Sequence, residues 1–424
     1  MPSRNPFTIL LATLVAFGFI AMTTPAFAAG KEKVLHSFNG RGGNTPVASL
    51  IFDAAGNLYG TTTGGGVGKC GDYGCGTVFQ LTLGANGKWA ETVLHDFNGK
   101  DGAMPSGGLI VDAAGNLYGT TYGGGVDCAG GGCGTVFKLT PGANGKWTQT
   151  VLHEFKGKDG ANPVSELIFD AAGKLYGTTA QGGTAGYGTV FQLAPGANGN
   201  WSDKVLHNFN GEDGDYPDSG LIFDAAGNLY GTTLYSYSGG VVFQLVRDAK
   251  GRWTEKVLHD FTSSSNDSCP NGGLIFDAAG NLYGTTSACN YYGDGKVFEL
   301  TPQAKGQWRE TTVYEFNGGD DGAFPATGVT FDAEGNLYGT TVAGGEFECI
   351  PGPNHCGTVF KLRPGADGVW TETVVHSFNG TDGSGPESSL VLDAEGNLYG
   401  TTAYGGSFYG DDNGGYGTVF QITP

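Results

Sequence analysis

Asp53-Ala54-Ala55-Gly56-Asn57-Leu58-Tyr59-Gly60-Thr61-Thr62 is the stretch that decides the fold, because its last six residues recur along the chain. The hexamer Asn-Leu-Tyr-Gly-Thr-Thr starts at Asn57, Asn116, Asn228, Asn281, Asn336 and Asn397, with a Lys variant at Lys174. Those seven copies lie 53 to 61 residues apart, a period that suits one supersecondary unit per repeat. Two other blocks keep step with it. Val-Leu-His-x-Phe starts at Val34, Val93, Val151, Val205 and Val257, with variants at Val313 and Val374. Gly-Thr-Val-Phe starts at Gly76, Gly134, Gly188, Gly357 and Gly417, with variants at Gly240 and Gly295.

Within the first unit these blocks form four β-rich runs, at 50–53, 58–62, 77–82 and 89–97, separated by turn residues. Ala54-Ala55-Gly56-Asn57 and Gly84-Ala85-Asn86-Gly87 read as tight turns between antiparallel neighbours, since Gly and Asn tolerate positive φ. The unit is therefore an antiparallel meander, a propeller blade. Apolar residues fall on both of its faces, as in Leu50-Ile51-Phe52, and such a blade buries them only between two neighbours. An open stack leaves two unburied ends, and neither end of this repeat array reads as a cap, which argues against a β-helix or an open hairpin array.

The ends of the repeat array point to a closed ring. A fourth-strand sequence at 34–38 has no blade before it, and a third-strand sequence at 418–423 is the last in the chain. Tryptophan agrees: Trp89, Trp147, Trp201, Trp253, Trp308 and Trp370 each begin a fourth strand, and the seventh is missing where Lys31-Glu32-Lys33 stands. The expectation is an all-β, seven-bladed β-propeller with four antiparallel strands per blade. The N-terminal strand completes the last blade, and closure removes sheet edges open to aggregation.

The Asp-Ala-Ala-Gly-Asn-Leu-Tyr-Gly-Thr-Thr and Gly-Thr-Val-Phe-Gln-Leu blocks, repeated over residues 34–424, resemble the GloVer-type tandem repeat proteins of bacteria and, more distantly, NHL-like propeller repeats. The resemblance implies a secreted or surface-exposed protein with no assigned activity, often held by a variable C-terminal sorting signal. Pro424 directly follows the last third-strand sequence, so free secretion or periplasmic residence is expected rather than C-terminal anchoring.

The first residues carry the same message. Arg4, an apolar run over 7–22 and Ala26-Phe27-Ala28 fit a signal peptide spanning 1–28, with a single propeller domain over 29–424. The apolar run is short for a membrane anchor, which needs about 20 residues. Without the leader, 21 basic residues face 41 acidic ones, a formal charge of −20. Such a surface repels nucleic acid and anionic lipid headgroups. Gly supplies 79 of 424 residues but keeps no Gly-X-Y register, so a collagen-like chain is excluded. A secreted monomer is the expectation.

Strand order places the variable second-to-third and blade-to-blade loops on one rim, and function is expected there and at the mouth of the central channel. Cys70 with Cys75, Cys128 with Cys133, Cys349 with Cys356, and Cys269 with Cys289 all fall on this rim. An even count in an exported chain points to four disulfides rather than to zinc. Asn98-Gly99-Lys100-Asp101-Gly102 and its counterparts set Asp101, Asp159, Asp213, Asp321 and Asp382 on the same rim. These are candidate calcium ligands, although Asp-Gly turn chemistry explains the same pairs. No other cofactor is expected. Six of the seven histidines, His36, His95, His153, His207, His259 and His376, hold one repeat position on the outermost strand and read as structural.

The channel is entered by residues 46–49, 105–108, 163–166, 217–220, 270–273, 325–328 and 386–389. Only Glu166, Asp218 and Glu387 bring charge to those segments, so they are the candidates for acid–base catalysis on a polysaccharide. Arg41 is the one mature arginine on the rim, which excludes a sialidase-like arginine cluster. Loop tyrosines Tyr73, Tyr122, Tyr187, Tyr235, Tyr237, Tyr291, Tyr292, Tyr404 and Tyr409 offer aromatic surface for sugar rings, or simply pack their own loops. A non-enzymatic binding scaffold for glycan or extracellular protein is the leading expectation; a carbohydrate-active lyase or hydrolase is the alternative.

Overall fold

Asp53 shows why each unit turns where it does. Its Oδ1 accepts the Ala55 and Asn57 N–H groups at 2.8 and 2.9 Å, and its Oδ2 accepts the Asn57 amide and the Tyr59 hydroxyl at 2.7 and 2.9 Å. With Gly56 at φ 80°, the chain reverses within four residues. Leu58–Thr62 then pairs antiparallel with Ile51–Phe52, and Thr77–Leu83 and Trp89–Asp96 follow in order. The first strand is shorter than the expected 50–53, because Asp53 is engaged in the turn and Leu50 packs into the neighbouring core.

This computed structural model describes residues 30–125, 131–262, 268–287, 293–349, 356–408 and 414–424; the leader expected at 1–28 lies outside them. It is a seven-bladed β-propeller, seven four-stranded antiparallel sheets in a ring. Lys31–Ser37 forms the fourth strand of the seventh blade, paired with Thr418–Thr423 so that Val34 faces Phe420 and Ser37 faces Thr418. Gly30 stands one step beyond, where the other blades carry Trp, and its N–H donates to the Val375 carbonyl at 3.1 Å.

The cores lie between blades. Seven buried clusters each draw on two adjacent sheets; one joins Tyr59, Val78 and Phe97 to Leu109, Leu117, Phe137 and Leu139 of the next blade. At every seam the Phe that closes one fourth strand meets the third-strand Phe of the next blade edge-on or tilted, as in Phe97–Phe137 at 5.1 Å and Phe378–Phe420 at 5.0 Å. Gly60 faces Phe79 across the ladder, and a Cβ there would lie 2.6 Å from the ring. The Gly inside Leu-Tyr-Gly-Thr-Thr is thus a socket for the Phe of Gly-Thr-Val-Phe.

Hydrogen bonds stitch the same seams. Thr120 Oγ1 donates to the Ser165 carbonyl at 3.1 Å, Thr285 Oγ1 to Thr327 at 2.8 Å, and Thr401 Oγ1 to Ala48 at 3.3 Å, the last between the seventh blade and the first. Gly417 closes that junction too, since a Cβ on it would meet the Pro46 ring at 2.5 Å.

Candidate functional site

Each blade-to-blade connection ends in a residue, then Pro, then the segment that enters the channel. The residue before Pro adopts a left-handed conformation at Thr45, Met104, Asn162, Tyr216 and Phe324, with φ between 55° and 59°. That conformation is disfavoured for side chains of this size and for a position before Pro. Two backbone bonds hold it: Tyr216 donates to Tyr187 of the preceding blade and accepts from Leu234 of its own, and Phe324 does the same with Asp294 and Val342. The backbone is therefore the same at these five junctions while the side chain varies.

Below this collar the seven segments converge as their sequence positions imply. Val47, Ser106, Val164, Asp218, Asn271 and Glu387 line a cavity of about 610 Å³ at the mouth, together with Tyr216 and Phe324. A deeper cavity of about 410 Å³ adds Glu166, Ser165 and Thr327. Glu166, Asp218 and Glu387 are only partly buried by surface area, because the channel is open, yet protein surrounds each on nearly every side. Burial pushes Glu166 and Asp218 up to about 7 and raises Glu387 as well. Gly108 leaves room for Glu166, whose carboxyl carbon would lie 3.2 Å from a Cβ there. Ser106 Oγ, Asp218 Oδ1 and Asn271 Oδ1 are buried atoms without a hydrogen-bond partner, all in the wall of this well.

A pH dependence follows. A carboxyl whose pKa rises on folding, here from about 4 to near 7, stabilises fully below its unfolded pKa, and that contribution is lost as the pH climbs through its folded value. The melting temperature is therefore expected to fall between about pH 4 and pH 7, and Glu166→Gln with Asp218→Asn to reduce the fall, Glu32, Glu255 and Glu372 being raised likewise. Calorimetric melts across this range test it; a parent that gains stability toward alkaline pH contradicts it. The turn aspartates act elsewhere on the scale. Burial raises Asp53 and Asp224, but hydrogen bonds from Asn57 and Tyr59, and from Asn228 and Tyr230, outweigh it and hold both below the usual value, so their contribution is lost only on strong acidification.

The rim tyrosines divide. Tyr122 shares a hydrogen bond with Tyr216, Tyr235 packs against Tyr216 at 6.3 Å, and Asp218 lies close enough to raise the Tyr216 hydroxyl after burial and Tyr122 have done so. Tyr404 sits beside Glu387. Tyr187 bonds Tyr237 farther out, and Tyr73 lines a separate hollow with Asn44, Asp72 and Tyr416. Tyr291, Tyr292 and Tyr409 lie outside the described residues. Tyr216, Phe324 and Asn271 were not singled out from the sequence; their position beside each channel Pro is the signal that marks them.

The loop aspartates close their own turns. Asp101 Oδ1 accepts the Asn98 N–H at 3.0 Å, and its Oδ2 accepts the Asn98 amide at 2.8 Å and faces His95 Nε2 at 3.1 Å. Asp159, Asp213 and Asp382 meet His153, His207 and His376 likewise, and Asp321 accepts from Tyr314 at 3.0 Å. A β-bulge beside each of these histidines, with Leu94 unpaired in the first blade, re-aims the imidazole toward the seam.

Disulfides brace the rim. Cys70–Cys75 and Cys349–Cys356 are formed, with Cα atoms 4.9 and 5.1 Å apart. Cys133 and Cys269 are also disulfide-bonded, and their expected partners Cys128 and Cys289 lie outside the described residues. Cys75, Cys133 and Cys356 each offer the carbonyl that holds a left-handed collar residue, so the bridges anchor the channel mouth. Among the described residues no helix is long and apolar enough to cross a membrane.

A ring of four-stranded blades around a lined channel defines a seven-bladed β-propeller of tandem repeats. The chain belongs to the Gloeobacter/Verrucomicrobia repeat family, whose model matches residues 19–233 and 127–351. No curated protein matches it. Among solved structures, a protein of unknown function from Dyadobacter fermentans is similar at 8% identity over 93% of this chain and 99% of that one, with a TM-score of 0.45. A putative oxidoreductase (glucose dehydrogenase) from Thermus thermophilus is similar at 14% identity over the same shares, with a TM-score of 0.42.

Proposed function

We propose that this propeller is an exported, non-enzymatic binding protein that takes a glycan at the mouth of its central channel. The observation that carries the reading is the set of buried, unpartnered polar atoms on Ser106, Asp218 and Asn271 in a cavity that Tyr216 and Phe324 also line. Buried polar atoms without partners are costly, and a polyhydroxylated ligand satisfies them while its C–H faces lie on the rings. The cavity falls within the usual range of ligand sites, about 300–1,000 Å³. The disulfide-bonded rim and the signal peptide expected at 1–28 support export, which sequencing the N-terminus of the mature protein in culture medium and periplasm tests.

Glycan-array binding is expected for the parent protein, weakened about tenfold or more by Asp218→Ala or Tyr216→Ala. Binding that both variants leave unchanged removes the channel mouth from the reading. The second reading, a carbohydrate-active lyase or hydrolase, draws on one feature: Glu166, Asp218 and Glu387 share one channel and are shifted toward neutrality, as an acid–base pair requires. Reducing ends or unsaturated products released by the parent and abolished by Glu166→Gln with Glu387→Gln establish that reading and overturn the non-enzymatic one.

A further inference from the structure

The seven seams differ at one point near the outer edge, where the fourth strand of one blade, the loop that leaves it and the fourth strand of the next blade converge. In three of them the loop aspartate, the strand histidine and an acid two residues beyond the neighbouring Trp position meet. The groups are His153, Asp159 and Asp203; His207, Asp213 and Glu255; and His376, Asp382 and Glu32. In each group one nitrogen and two carboxylate oxygens lie within 4.8 Å of one another. Asp and His approach to 3.0–3.1 Å, a hydrogen-bond distance that need widen by only a few tenths of an ångström to reach the roughly 3.4 Å edge that two ligands subtend at a tetrahedral ion bound at about 2.1 Å. Glu255 and Glu32 each keep one buried carboxylate oxygen with no hydrogen-bond partner, although an aspartate stands beside them.

Among the described residues, the other seams, built on the same backbone, lack the set. Gln149 replaces the acid beside His95 and Asp101 and donates to the Asp101 carbonyl at 3.2 Å. Lys296 supplies a cation to Glu310 at 3.3 Å beside His259. Tyr314 replaces histidine beside Asp321. The first seam pairs His36 with Glu91 at 3.3 Å, and its loop, Asn39-Gly40-Arg41-Gly42, carries no acid. Among the described residues, two facing carboxylates with an imidazole, and with no ion pair to lysine or arginine, thus occur in three seams of the ring.

We infer that these three clusters are divalent-metal sites of the zinc class, each clamping one blade to the next. Imidazole with two carboxylates suits zinc better than calcium, whose ligands are oxygen alone. Water completes the coordination at these half-exposed positions. The site at Glu32 holds the N-terminal strand itself, so its ion ties the ring closed. Loading one site does not require the others, because each draws on its own pair of blades.

The test is a zinc titration of the full chain by calorimetry, with bound metal measured after dialysis and circular dichroism melts of every variant without metal. Three equivalents are expected for the parent, two for His207→Gln and two for Glu255→Gln. Gln149→Glu completes the set at His95 and Asp101 and is expected to bind a fourth equivalent. The gained site keeps the idea testable even if a loss variant fails to fold. Failure to bind zinc at micromolar concentration overturns the inference, as does a stoichiometry that none of these substitutions changes. Calcium binding in place of zinc overturns it too, because the imidazole is then not a ligand.

Discussion

Deleting residues 31–38 is expected to open the closed ring and convert it into oligomers or aggregate. The deletion strips the outer strand from the seventh blade and leaves the Thr418–Thr423 edge unpaired. It also removes Leu35 and Phe38, which are 8% and 1% exposed, and with them the stacking of Phe38 on Phe79 at 5.1 Å. Burial of those two side chains alone is worth about 3–6 kcal/mol, a large part of the roughly 5–15 kcal/mol that holds an ordinary domain folded. An open apolar edge then recruits the same edge from another molecule. Size-exclusion chromatography with light scattering and a thermal melt decide the matter, and a synthetic peptide of residues 31–38 added during refolding is expected to restore the monomer. A truncated monomer that melts with the parent contradicts the role given to this strand.

The architecture was legible because its determinants are local and repeated. Asp53, Gly56 and Tyr59 set the first turn within seven residues, and the same spacing returns in every unit, so strand order, the two rims and the channel segments could be read without contacts. Glu166, Asp218 and Glu387 line one channel because strand order alone brings those segments to the axis.

Contacts between units were not legible in the same way. Glu255 meets His207 from a different repeat, and the β-bulge beside His207 that aims its ring carries no distinctive residue. The histidines therefore looked like isolated outer-strand residues, whereas the seams give them acidic neighbours. Tyr216 and Phe324 were hidden for another reason: a residue before Pro reads as extended, and the left-handed turn is held by backbone bonds that they donate to Tyr187 and Asp294 across the seam and accept from Leu234 and Val342. Tyr73 looked equivalent to Tyr122, but Tyr122 directly follows its second strand, whereas Tyr73 lies near the far end of a loop of similar length, in a hollow beside Tyr416.

Phe243→Ala is the second large effect, and it probes whether the blades act as a ring. Phe243 is fully buried, faces Gly231 across the ladder and stacks on Phe209 at 5.1 Å. No Cβ can grow from Gly231 to fill the space, since the glycine carries no side chain that could relax inward. A loss of about 3–5 kcal/mol is expected, as for other buried Phe truncations. With an unfolding entropy of about 2 cal/mol/K per residue, a ring of this size that melts as one unit shifts by roughly 4–6 °C. Phe420 in the closing blade has the same surroundings, stacking on Phe378 at 5.0 Å and facing Gly400. In a closed ring neither blade is terminal, so Phe420→Ala is expected to match Phe243→Ala within about 1 kcal/mol, whereas an open array penalises its end blade less. Calorimetry on both variants separates the cases: equal shifts in single transitions are the result of closure, and a milder Phe420→Ala or a split transition means that the blades are coupled as a chain with ends.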